Sequence, residues 1–387
     1  MTLFAALFLS IIVGAHVFVA WRFVATTHLH WVLQALIWVF LIGMGLLAPL
    51  SMIYARLWLS ATAARNALLG GYLWLGFFFI LFSLTVAVDG VAWAVALWRQ
   101  WAALDGPMDP QRRISAWRLM RTGQLAVAGL SAWHAGRVAY RGPEVTRVQV
   151  TLTRLPKALD GFTIAQISDL HVASLLGRDY VEQVVALTMA QQPSLIAVTG
   201  DMVDGSVPDL RPHVAPLAGL RAPHGCFFVT GNHEYYSGVE AWLDEVRLLG
   251  MQPLRNERVK IGEGAASFDL AGVDDWTAHH FGLGHGANLP RALAGRDKSR
   301  ALVLLAHQPR AVHEAARLGV DLMLSGHTHG GQIFPFGVLV RLVQPFVRGL
   351  HKLGNTQIYV NRGTGFWGPP MRLGSAPEIT LLTLRAP

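Results

Sequence analysis

The sequence predicts a bundle of membrane-crossing helices followed by a layered α/β domain. Three observations carry that prediction. Long uncharged apolar stretches fill the first third of the 387 residues, short apolar runs alternate with helical spacing through the rest, and charge is split unevenly between the two parts. Hydrophobic residues make up 52% of the chain and charged ones 14%, with a mean hydropathy of +0.38, too apolar for an ordinary soluble protein. Residues 1–142 hold ten Arg and three Asp, whereas the remainder holds 22 basic and 21 acidic residues. The basic balance therefore belongs to the apolar part. It suits loops beside a membrane rather than a nucleic-acid surface, so membrane lipids and not nucleic acid are the expected partners. The single Cys226 excludes an internal disulfide and a cysteine metal cluster.

Leu3–Trp21, Trp31–Ile53 and Ala67–Val88 are each long enough to cross a bilayer core of roughly 30 Å as helices. The first lacks the basic flank and small-residue cleavage site of a signal peptide. Thr122–Tyr140 reads as a weaker fourth span, because Gln124 and His134 interrupt it. His16, Asp89 and His134 sit at membrane depth or its edge, where ionisable groups are functional candidates, but Asp89 reads as a helix end and receives no role. Arg99, Arg112, Arg113, Arg118 and Arg121 lie between the third and fourth segments, which marks that connection as cytoplasmic. Four crossings then place the rest of the chain outside the cytoplasm, anchored in the cell (inner) membrane.

Arg141-Gly142-Pro143-Glu144 breaks the apolar pattern. The expected domains are accordingly 1–141, a transmembrane region of about four helices, and 142–387. In the second, Val145–Leu152 alternates like a half-buried strand. Phe162–Ser168, Leu195–Thr199, Phe227–Thr230, Leu302–Leu305 and Leu322–Leu324 read as buried strands, and Ile358–Val360 and Ile379–Leu384 add two more. Tyr180–Gln191, Val239–Leu249 and Ala311–Leu318 have helical spacing. The alternation predicts an α/β layered fold with no internal repeat.

The chemistry stands at the strand ends. Five consecutive buried strands finish in Asp169-Leu170-His171, Gly200-Asp201, Gly231-Asn232-His233-Glu234, His307, and Gly326-His327-Thr328-His329. In open α/β sheets ligands bind at the carboxyl ends of the strands. One such histidine is an ordinary core residue; five coincident sites are not. Carboxylate, carboxamide and imidazole without thiolate suit Mn, Fe, Zn or Ni. Seven candidate ligands exceed one ion's needs but fit two ions sharing a carboxylate. Such a pair would clamp the attacking and departing oxygens of a phosphoryl displacement.

The five blocks, Asp-x-His, Gly-Asp, Gly-Asn-His-Glu, His and Gly-His-x-His, occur complete and in order, and here the chain resembles the calcineurin-like metallophosphoesterase superfamily from about residue 145 onward. Gln166–His171 and Gly326–Gln332 look most like its bacterial membrane-associated branch, the YkuE and YaeI type. The resemblance implies an αββα sandwich and two divalent metal ions. It puts one ion on Asp169, His171 and His329, the other on Asn232, His307 and His327, and makes Asp201 the bridge. The nucleophile it implies is a hydroxide between the ions. His233 matches the family's non-ligand histidine and is expected to contact a phosphoryl oxygen or protonate the leaving group as the catalytic acid.

The implied activity is hydrolysis of a phosphodiester or pyrophosphate bond, with lipid or nucleotide-linked lipid substrates suggested by the anchor. The alternatives are a phosphomonoesterase or protein phosphatase, and a membrane sensor or transporter carrying a regulatory phosphoesterase-like domain. Oligomeric state is not legible. Asp204 and Asp275 are candidates for supporting or capping roles, and Arg362 for phosphate contact. His279, His280, His285 and His313 match no block and are expected to be solvated. Ile333–Leu350 combines Phe334, Phe336, Val338, Leu339, Leu342, Val343 and Phe346 with Arg341, Arg348 and no acid. That composition suits either core or a loop that meets acyl chains and phosphates.

Overall fold

The computed structural model describes residues 2–58, 60–102, 106 and 109–387. They form two compact units. One runs to Arg137 and includes Gly368–Met371; the other comprises Val138–Trp367 and Arg372–Pro387.

In the first unit the apolar stretches become helices α1 (Thr2–Thr27), α2 (Trp31–Trp58), α3 (Ala61–Trp101) and α4 (Pro110–Tyr140). By length and hydropathy α1, α2 and α3 can each cross a membrane. The fourth is helical throughout but is not among them, because Arg112, Arg113, Arg118, Arg121 and Arg137 dilute its apolar content. Those first four arginines stand on a helix and not in a loop, contrary to the sequence expectation. Asp89 does not end a helix either. It lies within α3, whose 41 residues extend about 60 Å at 1.5 Å per residue. Its carboxylate accepts from Arg22 Nε of α1 and from Arg121 of α4, each at 2.7 Å, so long-range partners hold the charge inside an apolar helix. Arg121 is buried and also donates to Gln124 at 2.9 Å and to Thr26 at 3.2 Å. Arg118 donates to the carbonyls of Thr27 and His28 at the end of α1. His16 is buried, stacked on Phe78 at 3.5 Å with its Nε2 3.0 Å from Trp74 Nε1. Gly45 of α2 faces that ring so closely that a Cβ would collide with it, a small-residue contact of the kind that lets membrane helices approach.

The second unit is built on two six-stranded sheets. Its strands are β1 (Glu144–Thr151), β2 (Thr163–Ile167), β3 (Leu195–Val198), β4 (Cys226–Phe228), β5 (Gln252–Pro253), β6 (Glu257–Glu263), β7 (Ala266–Gly272), β8 (Leu302–Leu305), β9 (Leu322–Ser325), β10 (Gly349–Leu353), β11 (Thr356–Val360) and β12 (Glu378–Arg385). The first sheet has the order β1-β12-β2-β3-β4-β5 and the second β10-β11-β9-β8-β7-β6. Neighbours β2, β3, β4 and β5 are parallel, as are β11, β9, β8 and β7.

Side-chain alternation decides how the layers stack. Ile164, Leu195 and Ala197 of the first sheet share one core with Phe268, Leu270, Val303 and Leu324 of the second. The intervening residues Ala165, Ile167, Ile196 and Val198 turn the other way, into a cluster with α5 (Arg178–Met189), α6 (Val207–Val214) and α8 (Val239–Leu248), which follows α7 (Asn232–Ser237). On the second sheet Leu302, Leu304 and Met323 pack on Val312 and Ala315 of the helical segment Val312–Arg317. The fold is thus helix, sheet, sheet, helix, the αββα sandwich expected. Charge alternation hid the β6–β7 hairpin from the sequence reading, since Glu257, Arg258, Lys260 and Glu263 punctuate β6.

Candidate metal centre

Every block named from the sequence emerges from the carboxyl end of a parallel strand. β2 delivers Asp169 and His171, β3 Asp201, β4 Asn232 and His233, β8 His307, and β9 His327 and His329. Hydrogen bonds stitch these ends across the two sheets. Gln166 of β2 donates to Ser325 O of β9 at 3.0 Å, His307 Nδ1 meets Thr199 O at 2.7 Å, and the His327 amide donates to Asp169 at 2.8 Å.

Glycine at the head of three blocks has a steric reason, and a Cβ on Gly200 would strike the backbone of Gly231. A Cβ on Gly231 would strike the Asp201 carboxylate, and one on Gly326 would strike Ser168 and Asp169. The neighbouring loops are packed too closely for any side chain there. The candidate ligands themselves adopt unusual backbone. Nine described non-glycine residues have positive φ, and five of them are Asp169, His171, Asp201, His327 and His329, at φ between 49° and 70°. A left-handed residue reverses the chain just past the strand and swings its side chain back into the cleft. Such conformations cost of order 1 kcal/mol or more each and concentrate at functional sites.

The donor atoms converge. Ligand atoms of Asp169, His171 and His329 all lie within 4.8 Å of one another, as do those of Asp201, His307 and His327. Asp201 stands between the two groups, its Oδ2 3.1 Å from His307 Nε2 and 3.8 Å from His171 Nε2. His171 Nε2 and His329 Nε2 are 3.0 Å apart, and His327 Nδ1 and His307 Nε2 3.3 Å. Paired imidazole nitrogens aimed at each other this closely fit a cation they share. Asn232 supplies a further sign, for its Oδ1 is buried with no hydrogen-bond partner, an acceptor in want of a donor or an ion. The residues present therefore fit two divalent cations.

Electrostatics prepare part of that chemistry, for burial lowers His307 but the Asp201 and Asp169 charges hold it well above its ordinary value, whereas two other imidazoles are lowered. Burial, with the charge of His307 beside it, drives His327 down to about 3, and burial with His171 drives His329 down. Both imidazoles are neutral at physiological pH, as lone-pair donation requires. Burial would raise Asp201, but the neighbouring His307 and His233 charges hold it well below the carboxylate range. Asp169 is raised, chiefly by its complete burial.

His233 also lies within 4.8 Å of His171 and Asp201 through its ligand atoms. Its Nδ1 is 2.5 Å from Asp204 Oδ1, and its ring is flanked edge-on by Tyr236 and Trp367 at centroid distances of 5.2 and 5.7 Å. Desolvation pulls its pKa down, yet the Asp201 charge and the Asp204 hydrogen bond outweigh it and hold the ring up at about 9. The carboxylates around His233 thus favour its protonated form beside the two donor sets.

A profile of the calcineurin-like phosphoesterase family matches residues 162–331, a span that includes all five blocks. The Bos taurus transmembrane protein with metallophosphoesterase domain is 37% identical over 367 residues, covering 90% of this chain and 81% of that protein. The chain belongs to the calcineurin-like metallophosphoesterase family. Other family members agree. An uncharacterized metallophosphoesterase of Helicobacter pylori strain J99 is 37% identical over 278 residues, 71% of this chain and 73% of that one. The Bacillus subtilis metallophosphoesterase YkuE is 32% identical over 279 residues, 68% of this chain and 94% of that one.

Within this metallophosphoesterase, four residues support the site beyond the candidate ligands and His233. Asp204 engages His171 Nδ1 at 3.0 Å as well as His233, which leaves His171 Nε2 free to face the cleft. Glu234 accepts from the amides of Gly231, Asp201 and Met202 at 2.7, 3.0 and 2.7 Å and so welds two ligand loops together. Arg372 is buried and donates to the carbonyls of His329, Arg362 and Gly365. Asp275 accepts from Thr277 and from Gln308, the neighbour of His307. Asp204 and Asp275 had been marked for supporting roles; Glu234 and Arg372 had not. Arg362 is no free phosphate binder, because its Nε is held by buried Glu378 at 2.6 Å. Nor is His285 solvated, for it is half-buried against Glu240 at 3.1 Å. His279, His280 and His313 are exposed as expected.

Proposed function

We propose that the chain is a membrane-anchored phosphoester hydrolase using two divalent ions, with a phosphodiester or pyrophosphate diester as substrate. The observation that carries this reading is the convergence of donors from both sheets on a shared carboxylate, Asp201. Asp169, His171 and His329 would hold one ion, Asn232, His307 and His327 the other, and Asp201 both. Ions so placed would supply Lewis acidity to phosphoryl oxygens and a nucleophile at neutral pH. Asp204 keeps His171 turned towards the cleft through its Nδ1, and His307 is oriented in the same way by Thr199 O. His233, protonated and anchored through Nδ1, presents Nε2 as a general acid to the leaving oxygen. Tyr236 and Trp367 wall that ring with aromatic faces, which suits an organic leaving group over inorganic phosphate. A lipid-linked diester is the substrate class that best matches a catalytic unit tethered to membrane helices.

The test separates ligand from acid. Asp201→Asn is expected to abolish turnover and reduce bound metal at both positions, read by metal analysis of the purified chain. His233→Ala is expected to keep both ions and lose about 10²–10⁴-fold in turnover, with the loss shrinking for activated diesters whose leaving groups need no proton. Metal loss on His233→Ala would make His233 a ligand and overturn its assignment; two ions at full occupancy in Asp201→Asn would overturn the bridge.

A further inference from the structure

Outside the metal centre, the second unit carries a cleft of about 580 Å³ between the helical segment Val312–Arg317 and the loop Arg341–Pro345. That volume lies within the range of small-ligand sites. Arg310, His313, Arg317 and Arg341 line it over Trp276, and Glu314 is its one acid. Arg317 and Arg341 are exposed, and among the described residues neither makes an ion pair or a side-chain hydrogen bond. Arg310 donates through NH2 to Val343 O at 3.0 Å, but its Nε is buried with no acceptor. The cleft thus offers positive charge and an unmet donor. Arg154 and Arg255 of the same unit, by contrast, are paired with Asp321 and Asp274.

The rim of the same cleft is apolar. Val338, Leu339, Leu342 and Val343 are 62%, 52%, 79% and 63% exposed, on and just after the short helix Phe336–Val340. The preceding Phe334 is 68% exposed. Four large aliphatic side chains bared on one loop are not a solvated turn. The sequence had marked the whole span from Ile333 to Leu350; the structure divides it. Ile333 and Val347 are buried, and Phe346 packs on the core and stacks on His351 at 4.5 Å, so Phe346 is structural. The exposed part is 334–343.

We propose that this loop and cleft form a membrane-surface site, in which Val338, Leu339, Leu342 and Val343 enter the acyl-chain boundary and the arginine cleft takes the phosphate of an anionic lipid head group. Apolar side chains beside unpaired cations are the composition that binds anionic interfaces, because burial of the aliphatic groups and attraction of the cations add. Three of the chain's described helices are long and apolar enough to cross a membrane. Gln344 ties the loop to the catalytic side, accepting from the Arg310 amide at 3.2 Å and donating to Gln308, next to His307, at 3.4 Å. The site is separate from the ligands and stands whether or not the hydrolytic reading does.

The experiment uses the full chain in nanodiscs. Cys226 is buried, so a Leu342→Cys variant takes an environment-sensitive fluorophore at one place. Discs of phosphatidylcholine are compared with discs containing one third phosphatidylglycerol. The expected result is a blue-shifted probe quenched by lipids brominated in their acyl chains, several-fold more strongly in the anionic discs. Arg317→Gln with Arg341→Gln should erase the anionic increment and leave hydrolysis of a soluble chromogenic diester unchanged, which also reports that the variant is folded. A probe open to aqueous iodide and untouched by brominated lipid in both discs would overturn the proposal. So would an unchanged lipid preference in the double variant, or energy transfer between labelled copies that makes a second copy the occupant. Free glycerol phosphate displacing the increment equally in both discs would assign the cleft to a soluble ligand and overturn it too.

Discussion

At the residue scale, Asp204 controls two histidines with one carboxylate, and its effect on His233 has a pH signature. The folded protein raises His233 from its ordinary 6.5 to about 9. A raised folded-state pKa stabilises the protein in full where both the folded and the unfolded ring are protonated, and progressively less once the unfolded ring loses its proton. The favourable interaction is fully present below about pH 6.5 and is lost as pH rises through about 9. In the chelated, metal-free chain, His233→Gln should therefore lower the melting temperature most on the acid side, with the difference from the parent closing towards about pH 10. A gap independent of pH would mean that His233 and its carboxylates contribute packing alone. Asp204 was visible in the sequence as an acid three residues past a ligand, but nothing local said that two rings from two other loops would meet it. Glu234 was quoted within its block and still passed over, because its partners are three backbone amides, which no side-chain pattern announces.

At the element scale, buried parallel strands were the most legible feature. Each is a run of four or so apolar residues ending in a chemically distinctive one, and β2, β3, β8 and β9 sit where those runs are. The misreadings have one physical cause, a polar residue whose partner lies far along the chain. Asp89 interrupts an apolar run, and a charge there reads as a terminus. Arg22 and Arg121, 67 and 32 residues away, satisfy it inside the helix instead. Removing one member of a buried ion cluster typically costs about 3–5 kcal/mol, since it strands the others without compensation. Asp89→Ala should accordingly destabilise the helical unit in detergent far more than Arg22→Ala, because Arg121 is the buried cation left alone. Pairing Asp89→Ala with Arg121→Met should recover much of the loss. Equal destabilisation by the single and double variants would show that the cluster contributes no coupling between α1, α3 and α4.

For the whole molecule, the side of the membrane on which the catalytic unit works turns on α4. Counting four crossings from the arginines puts the unit outside the cytoplasm. With only α1, α2 and α3 crossing, the same arginine count leaves it inside. Arg118 and Arg121 are engaged by Thr27 O, His28 O and Asp89, so they are tied into the helical unit rather than free in a connecting loop. A cysteine in place of exposed Asp209 decides the matter with an impermeant thiol reagent on spheroplasts. Labelling before lysis is the expected outcome if α4 completes a fourth crossing; labelling only after lysis assigns three crossings and a cytosolic substrate pool.

The five candidate ligands held at positive φ have a consequence for substitution. Each keeps a conformation that glycine or asparagine would adopt more easily, so the backbone alone does not favour these side chains. Glycine at any of them would relieve that backbone cost, but at Asp169 and Asp201 it would also strand the His327 and His233 amides, whose protons their carboxylates accept. Asp169 and Asp201 are thus the two whose loss would cost the fold as well as the donor set.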